Sequence, residues 1–194
     1  VVIGGPNGAG KTTISRAVIA SIGVPMQFVN ADVIAQGLGG TDPDKVALAA
    51  GRMMLTRLHQ LADAKESFAF ESTLASRSFA PFLAKLSKGG YMVHLVYSWV
   101  HSPEISIARI KTRVRNGGHF VPDNVVRRRF ARSARNLIRL YIPLASRWRV
   151  YDNSSGLGPT LVGRKTEGGD ARVLKRALWA RLTEIADEGP DKSG

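Results

Sequence analysis

An α/β fold, a parallel sheet of five strands with helices on both faces, follows from two features of the chain. Short apolar runs alternate with segments whose apolar residues recur every three or four positions. A glycine-rich turn joins the first apolar run to the first periodic segment, as a strand–loop–helix unit requires.

The elements are justified in order. Val1-Val2-Ile3 is the end of a buried strand, closed by Gly4-Gly5-Pro6-Asn7-Gly8. A helix from about Lys11 to Ile22 repeats Ile14, Val18 and Ile22 every four residues, and Gly23 stops it. Met26 to Val29 is a second strand. Thr41 and Asp42 before Pro43 start a helix that runs to about Ala64 through Val46, Leu55, Leu58 and Leu61. Ser67 to Phe70 is a third strand. A helix through Phe79, Phe82, Leu83 and Leu86 ends at Gly89-Gly90, and Tyr91 to Trp99 makes the fourth strand. Ser102 caps a helix with Pro103 at its first position and Ile107, Ile110 and Val114 on one face. Gly117-Gly118 break it. The next helix, from Asp123, buries Val126, Phe130, Ala134, Leu137 and Tyr141. Arg147 to Tyr151 is the fifth strand, 160–165 a short further strand and 171–187 a closing helix. The expected organisation is one domain over 1–188, with a lid at about 116–122 and a disordered tail at 189–194.

Composition narrows the function. The 194 residues are 44% hydrophobic and 22% charged, values of a soluble globular protein. No apolar run approaches the roughly 18 residues of a membrane helix. The absence of cysteine excludes disulfides, thiolate zinc sites, iron–sulfur clusters and thiol catalysis. No signal peptide is visible, and the chain starts at Val1 inside an apolar run, as a trimmed N-terminus would; a cytoplasmic enzyme is expected. Twenty-eight basic residues against 15 acidic give a net charge of +13, and within 109–149 twelve bases accompany one acid, Asp123. That excess predicts an anionic partner: phosphates, nucleotides or nucleic acid.

Gly5-Pro6-Asn7-Gly8-Ala9-Gly10-Lys11-Thr12, followed by Thr13, fits G-x-x-x-x-G-K-[ST], the P-loop. Small backbone lets successive N–H groups curl around terminal phosphates at the positive end of a helix. Lys11 bridges the outer phosphates and the Thr12 hydroxyl takes a place on Mg²⁺. ATP and Mg²⁺ are therefore the expected ligands. Leu86-Ser87-Lys88-Gly89-Gly90 imitates an ABC-type signature but closes a helix, so it reads as a glycine cap. No Asn-Lys-x-Asp guanine reader is present. A kinase-type P-loop domain remains.

A kinase needs a carboxylate near the γ-phosphate to orient or deprotonate the acceptor. Asp32 ends the second strand in Val29-Asn30-Ala31-Asp32, where it is either that group or an N-cap of the following helix. Glu71, after two strand phenylalanines, is placed to hold the acceptor or, through water, Mg²⁺. Arg109 and Arg113, four apart on one helix face, are candidates to neutralise the transferred phosphoryl group, with Arg115 a further one. Asn116-Gly117-Gly118-His119-Phe120-Val121-Pro122 reads as the lid. Arg128, Arg132, Arg135 and Arg139 form a stripe that is either a nucleic-acid surface or the wet side of an amphipathic helix with one or two arginines turned into the site, and the second is preferred. His59, His94, His101 and His119 lack metal-ligand spacing.

These segments, with Phe68-Ala69-Phe70-Glu71-Ser72-Thr73-Leu74 and Tyr151-Asp152-Asn153-Ser154 in order, resemble the zeta-toxin family of P-loop kinases, particularly its stand-alone bacterial branch. The resemblance spans about 1–165. It implies phosphoryl transfer from ATP to a hydroxyl; in characterised members the acceptor is UDP-N-acetylglucosamine. It implies that Lys11 and Thr12 serve phosphate and Mg²⁺, that Asp32 is the base, that Glu71 with Thr73 holds the acceptor, and that Arg109 is the first of two clamping arginines. For the second, alignment on Pro122 points to His119, with Arg113 and Arg115 also within reach. A separate antitoxin is an implied partner. The rival expectation is a nucleotide-gated nucleic-acid-binding protein, or a polynucleotide kinase, using the basic helix 123–146.

Overall fold

A computed structural model describes the chain except Thr41, His119 and 189–194. The expected roles of Thr41 as a helix start, of His119, and of 189–194 as a tail lie outside the described residues. Among the described residues the strands form one seven-stranded sheet in the order β2-β3-β1-β4-β5-β6-β7. They are β1 (Val2–Gly4), β2 (Gln27–Val29), β3 (Phe68–Ser72), β4 (His94–Trp99), β5 (Arg147–Asp152), β6 (Thr160–Lys165) and β7 (Ala171–Val173). The first five are parallel. An antiparallel hairpin of β6 and β7 extends that sheet beyond β5.

The helices are α1 (Lys11–Ile22), α2 (Ala31–Leu38), α3 (Pro43–Asp63), α4 (Phe79–Lys88), α5 (Pro103–Arg115), α6 (Asp123–Asn136), α7 (Ile142–Leu144) and α8 (Arg176–Glu188), with a π-helical turn at Leu137–Tyr141 between α6 and α7. All six residues of β4 are buried, because both faces of the sheet are covered there. On one face, Leu58 of α3, Leu83 of α4, Leu137 and Leu182 of α8 close the main core over Val2, Phe70, Leu95 and Val150. On the other, Ile14 and Val18 of α1 pack on Val96. A third cluster, Ile107, Ile110, Val121 and Val126, joins α5 to α6.

The fourth strand starts at His94 and not at Tyr91, the helix from Asp123 gives way to a π-helical turn after Asn136, and the C-terminal segment changes type. Residues 171–173 are strand β7, and the closing helix starts only at Arg176. Gly168, at φ 65, sits in a turn closed by the Gly169 amide on the Thr166 carbonyl, which folds the chain back beside β6. Pairing of Gly163 with Val173 and of Lys165 with Ala171 then overrides local helix preference.

The order β3-β1-β4 decides where the site lies. The chain leaves β1 for α1 and returns two strands away in β2, so β1 is flanked by β3 and β4. Ligands in open α/β sheets bind beyond the carboxyl ends of strands at such a point.

Candidate active site

The loop after β1 is held by its neighbours. Gly5, at φ 143, passes so close to β4 that a Cβ would lie 2.0 Å from the Ser98 carbonyl oxygen. Gly10 turns into α1 at φ 82, and a Cβ there would meet Asn153 Nδ2 at 2.2 Å. Only glycine fits either position. Ser98 Oγ and Asn153 Nδ2 both donate to the Ala9 carbonyl, at 2.6 and 2.9 Å. Lys11 arcs back over the loop, its Nζ donating to the Gly5 and Pro6 carbonyls at 2.8 and 3.0 Å.

Two cavities meet at this loop. The first, about 380 Å³, is lined by Gly8, Gly10, Lys11, Thr12 and Thr13 with Arg109 and Arg113 of α5 and Asn153. The second, about 530 Å³, lies under α6, with Thr73, Phe79, Arg128, Arg129 and Arg132 in its wall. Asn7, Lys11, Asp32 and Glu71 line both. Gly5, Pro6 and Ala9 shape the loop from behind. Arg115 lines neither cavity.

Local sequence explains these placements. Asn30, not Asp32, caps α2: its side chain accepts from the Asp32 amide at 2.8 Å. That leaves the Asp32 carboxylate, in the first turn, at the junction of the cavities. Glu71 lies in register with Ile3 of β1, so its side chain reaches the P-loop. Thr12 Oγ1 donates to Glu71 Oε2 at 3.4 Å. Glu71 Oε1 and Asn7 Oδ1 are buried without a hydrogen-bond partner among the described residues. Buried unpaired oxygen is costly, so these atoms mark a place for a ligand. A threonine hydroxyl beside a carboxylate with a spare oxygen suits a hard divalent cation such as Mg²⁺.

The electrostatics have one sign for ligand and another for lysine. Burial pulls the Lys11 ammonium down to about 8, Glu71 and Asp32 act to raise it, and Arg113 and Arg129 lower it again. Arg129 is itself lowered, by burial and by Arg128, while Asp32 opposes that shift. Arg129 is thus close enough to feel both Lys11 and Asp32. The sequence reading missed it because it lies off the four-arginine stripe, next to Arg128.

That stripe divides in the structure. Arg128 and Arg132 face the larger cavity. Arg135 is buried, its Nε donating to the Ala186 carbonyl of α8 at 3.2 Å. Arg139 pairs with Asp187 at 3.1 Å. The four do not form one continuous anion-binding face.

The same helix anchors the cavity wall after β3. Ser133 Oγ donates to the Thr73 carbonyl at 2.5 Å, Asn136 Nδ2 to that of Leu74 at 2.8 Å and Tyr141 Oη to that of Ser76 at 2.5 Å. Leu74, at φ 55, is buried in a conformation that costs a β-carbon energy, and these bonds hold it there. Asn136→Ala strands the Leu74 carbonyl. It is expected to lower stability by about 1–3 kcal/mol, measured by urea unfolding.

Behind Arg109, Ser154 Oγ donates to Asp152 Oδ1, and the second Asp152 oxygen lies 3.0 Å from His101 Nε2. The Arg109 guanidinium reaches the Ser154 carbonyl at 3.5 Å. Tyr151-Asp152-Asn153-Ser154 thus braces both the loop and the arginine.

Known proteins agree with this architecture. An uncharacterized protein of Haemophilus influenzae (strain ATCC 51907 / DSM 11121 / KW20 / Rd) is 31% identical over 126 residues, 65% of this chain and 88% of the relative. The AvrRxo1-ORF1:AvrRxo1-ORF2 complex with sulphate ions superposes with a TM-score of 0.77 at 18% identity, covering 98% of this chain and 65% of that one. The same complex with ATP gives 0.75 at 18% identity, covering 100% and 64%. This chain therefore spans about 65% of the matched AvrRxo1 chains. The PezAT chromosomal toxin–antitoxin system of Streptococcus pneumoniae gives 0.59 at 18% identity, covering 96% and 86%. The chain shares its fold with these proteins, in keeping with the resemblance of its motifs to the zeta toxins. No described helix is long and apolar enough to cross a membrane. Residues 1–138 match the AAA domain family, and the chain belongs to that family of P-loop proteins.

Proposed function

We propose that the chain is an ATP-dependent kinase that phosphorylates a hydroxyl of a small acceptor, of the nucleotide-sugar class that includes UDP-N-acetylglucosamine. The observation that carries this reading is the junction of two cavities on Asn7, Lys11, Asp32 and Glu71. One has the shape and donors for nucleotide phosphates; the other offers a carboxylate facing arginines, as an anionic alcohol needs.

ATP sits along the loop amides, with Lys11 on its outer phosphates. Thr12, with Glu71 beside it, would hold Mg²⁺, which would supply positive charge to shield the phosphate oxygens. Asp32 takes the proton of the acceptor hydroxyl as its oxygen attacks the γ-phosphorus and the bond to the β-phosphate oxygen breaks, releasing ADP. Arg109, Arg113 and Arg129 meet the charge spreading over the transferred group. Glu71 and Thr73 orient the acceptor, and Arg128 and Arg132 hold its anionic part. Segment 116–122 closes over the nucleotide, and a separate antitoxin protein is the partner this reading carries.

The test is transfer of label from γ-labelled ATP to a panel of nucleotide sugars and other alcohols. Label on a nucleotide sugar supports the reading. Transfer to none, with only free phosphate released, sinks it.

Lys11 supplies a pH prediction. In the free protein its depressed pKa penalises folding below pH 8, and the penalty fades as pH rises toward 10.5. Phosphate binding needs the charged lysine. ATP affinity is therefore expected to fall above pH 8, by up to about tenfold per pH unit. Lys11→Arg, which stays charged, flattens that fall in a calorimetric titration across pH 7–10.

A further inference from the structure

The sheet carries a second basic feature, remote from the cavities. Arg149 of β5 lies directly opposite Arg164 of β6, and Arg164 directly opposite Arg172 of β7. Residues paired this way share a face, so three arginines stand in one row across three strands. Neighbouring strands are about 4.8 Å apart, which sets the spacing of the row. Arg149 is in register with Val96, whose side chain packs under α1, so the row belongs to the α1 side of the sheet. Cover by α1 stops short of it: all three arginines are exposed. On the opposite side, Gly163 faces Trp148 and Trp179.

Like charges directly opposite one another in a sheet are destabilising. The row has no compensation among the described residues: none of the three takes part in an ion pair. Over 147–181 the chain has eight bases and three acids, and one of those acids, Asp152, is buried against His101. Next to the row, His94 is pushed down to about 4, by burial first and then by Arg147 and Arg149. A stretch of sheet that keeps an uncompensated repulsion at some cost in stability is accounted for by an anion that binds there.

We propose that the α1 side of the β5–β7 extension is a docking surface for a nucleic-acid backbone, with Arg149, Arg164 and Arg172 seated on successive phosphates. A protein partner would be expected to find an aromatic or aliphatic anchor at the centre of the patch. None of the large exposed apolar side chains lies in the row. A row of exposed arginines on neighbouring strands, without such an anchor, suits phosphodiesters, read by charge and not by sequence. The surface is independent of the kinase reading, since none of its residues lines either cavity.

The experiment is fluorescence anisotropy of the full chain with a labelled single-stranded RNA over a range of salt. Arg164→Glu with Arg172→Glu is expected to weaken binding at least about tenfold and to reduce the log–log salt slope by about 0.7 for each phosphate no longer neutralised. Arg52→Glu with Arg57→Glu on α3 changes the net charge equally and is expected to cost less than about threefold. Arg164→Glu alone puts an acid between two arginines, so its melting temperature is expected to rise, which separates lost binding from lost folding. ATP affinity is unchanged in all these variants. The proposal is overturned if the α3 pair costs as much as the β6–β7 pair, or if the wild type fails to bind RNA. It is also overturned if an acidic polypeptide binds the row more tightly than RNA.

Discussion

Asp32→Asn is expected to abolish phosphoryl transfer, by about two to four orders of magnitude, while ATP binding stays within a few-fold of wild type. The geometry makes this a clean substitution. Asn30 already caps α2, so an amide at position 32 leaves the helix start intact. The side chain is exposed and keeps its shape, so little stability is at stake. Asp32 also acts to hold the pKa of Lys11 up, and removing its charge lets that value fall. The assay therefore belongs at pH 7 or below, where Lys11 stays largely charged and only the proton-accepting role is lost. Label transfer measures the first quantity and calorimetric titration with ATP the second. A variant that transfers phosphate at the normal rate would leave Asp32 with no part in the chemistry.

The parts of this site that are legible in the sequence are those written within a few residues of one another. The P-loop is one unbroken octapeptide, and Asp32, just past β2, and Glu71, the next-to-last residue of β3, both lie where the apolar pattern marks a strand's end. Parallel strands bring their carboxyl ends to one edge, so placing the strands places the acids. Arg129 was not legible for the opposite reason. Its neighbours Arg127 and Arg128 are chemically identical, and which of them turns inward depends on how Phe130 and Ala134 seat α6. Arg127 instead pairs with Glu104 of α5. The tie from Asn136 to the Leu74 carbonyl spans 62 residues and has no local signal. The β7 strand was hidden because Ala171 and Arg172 favour helix, and only the partner edge of β6 makes them extended.

The stripe on α6 shows how a periodic pattern misleads when its partners are unseen. Spacings of 4, 3 and 4 put Arg128, Arg132, Arg135 and Arg139 along one side of the helix. That side runs from the cavity at its start to α8 at its end. The charge excess is real, but it is divided: Arg128 and Arg132 line the larger cavity, Arg135 bonds the Ala186 carbonyl, and Arg139, in the π-helical turn, pairs with Asp187. A separate row of arginines without ion pairs stands on the sheet.

Arg129→Gln is the second variant with a large expected effect: kcat falls by about a thousandfold or more, with ATP affinity changed little. An arginine that meets charge only as it develops in the transition state lowers kcat, whereas one that holds a ground-state anion raises KM. Arg129 is half-buried, lines the larger cavity and is close enough to Lys11 and Asp32 to interact with both, which on the proposed reading sets it beside the transferred group. Arg132, three residues further along α6, lines the same larger cavity, and Arg132→Gln is expected to raise the acceptor KM about tenfold with kcat nearly unchanged. Arg129→Lys restores the charge without the planar fork and is expected to recover only part of the loss. Steady-state kinetics on the three variants separate the roles. If Arg129→Gln and Arg132→Gln both move KM alone, the whole helix serves acceptor binding. The transition-state charge then rests on Arg109 and Arg113, and Arg109→Gln becomes the variant that should silence transfer.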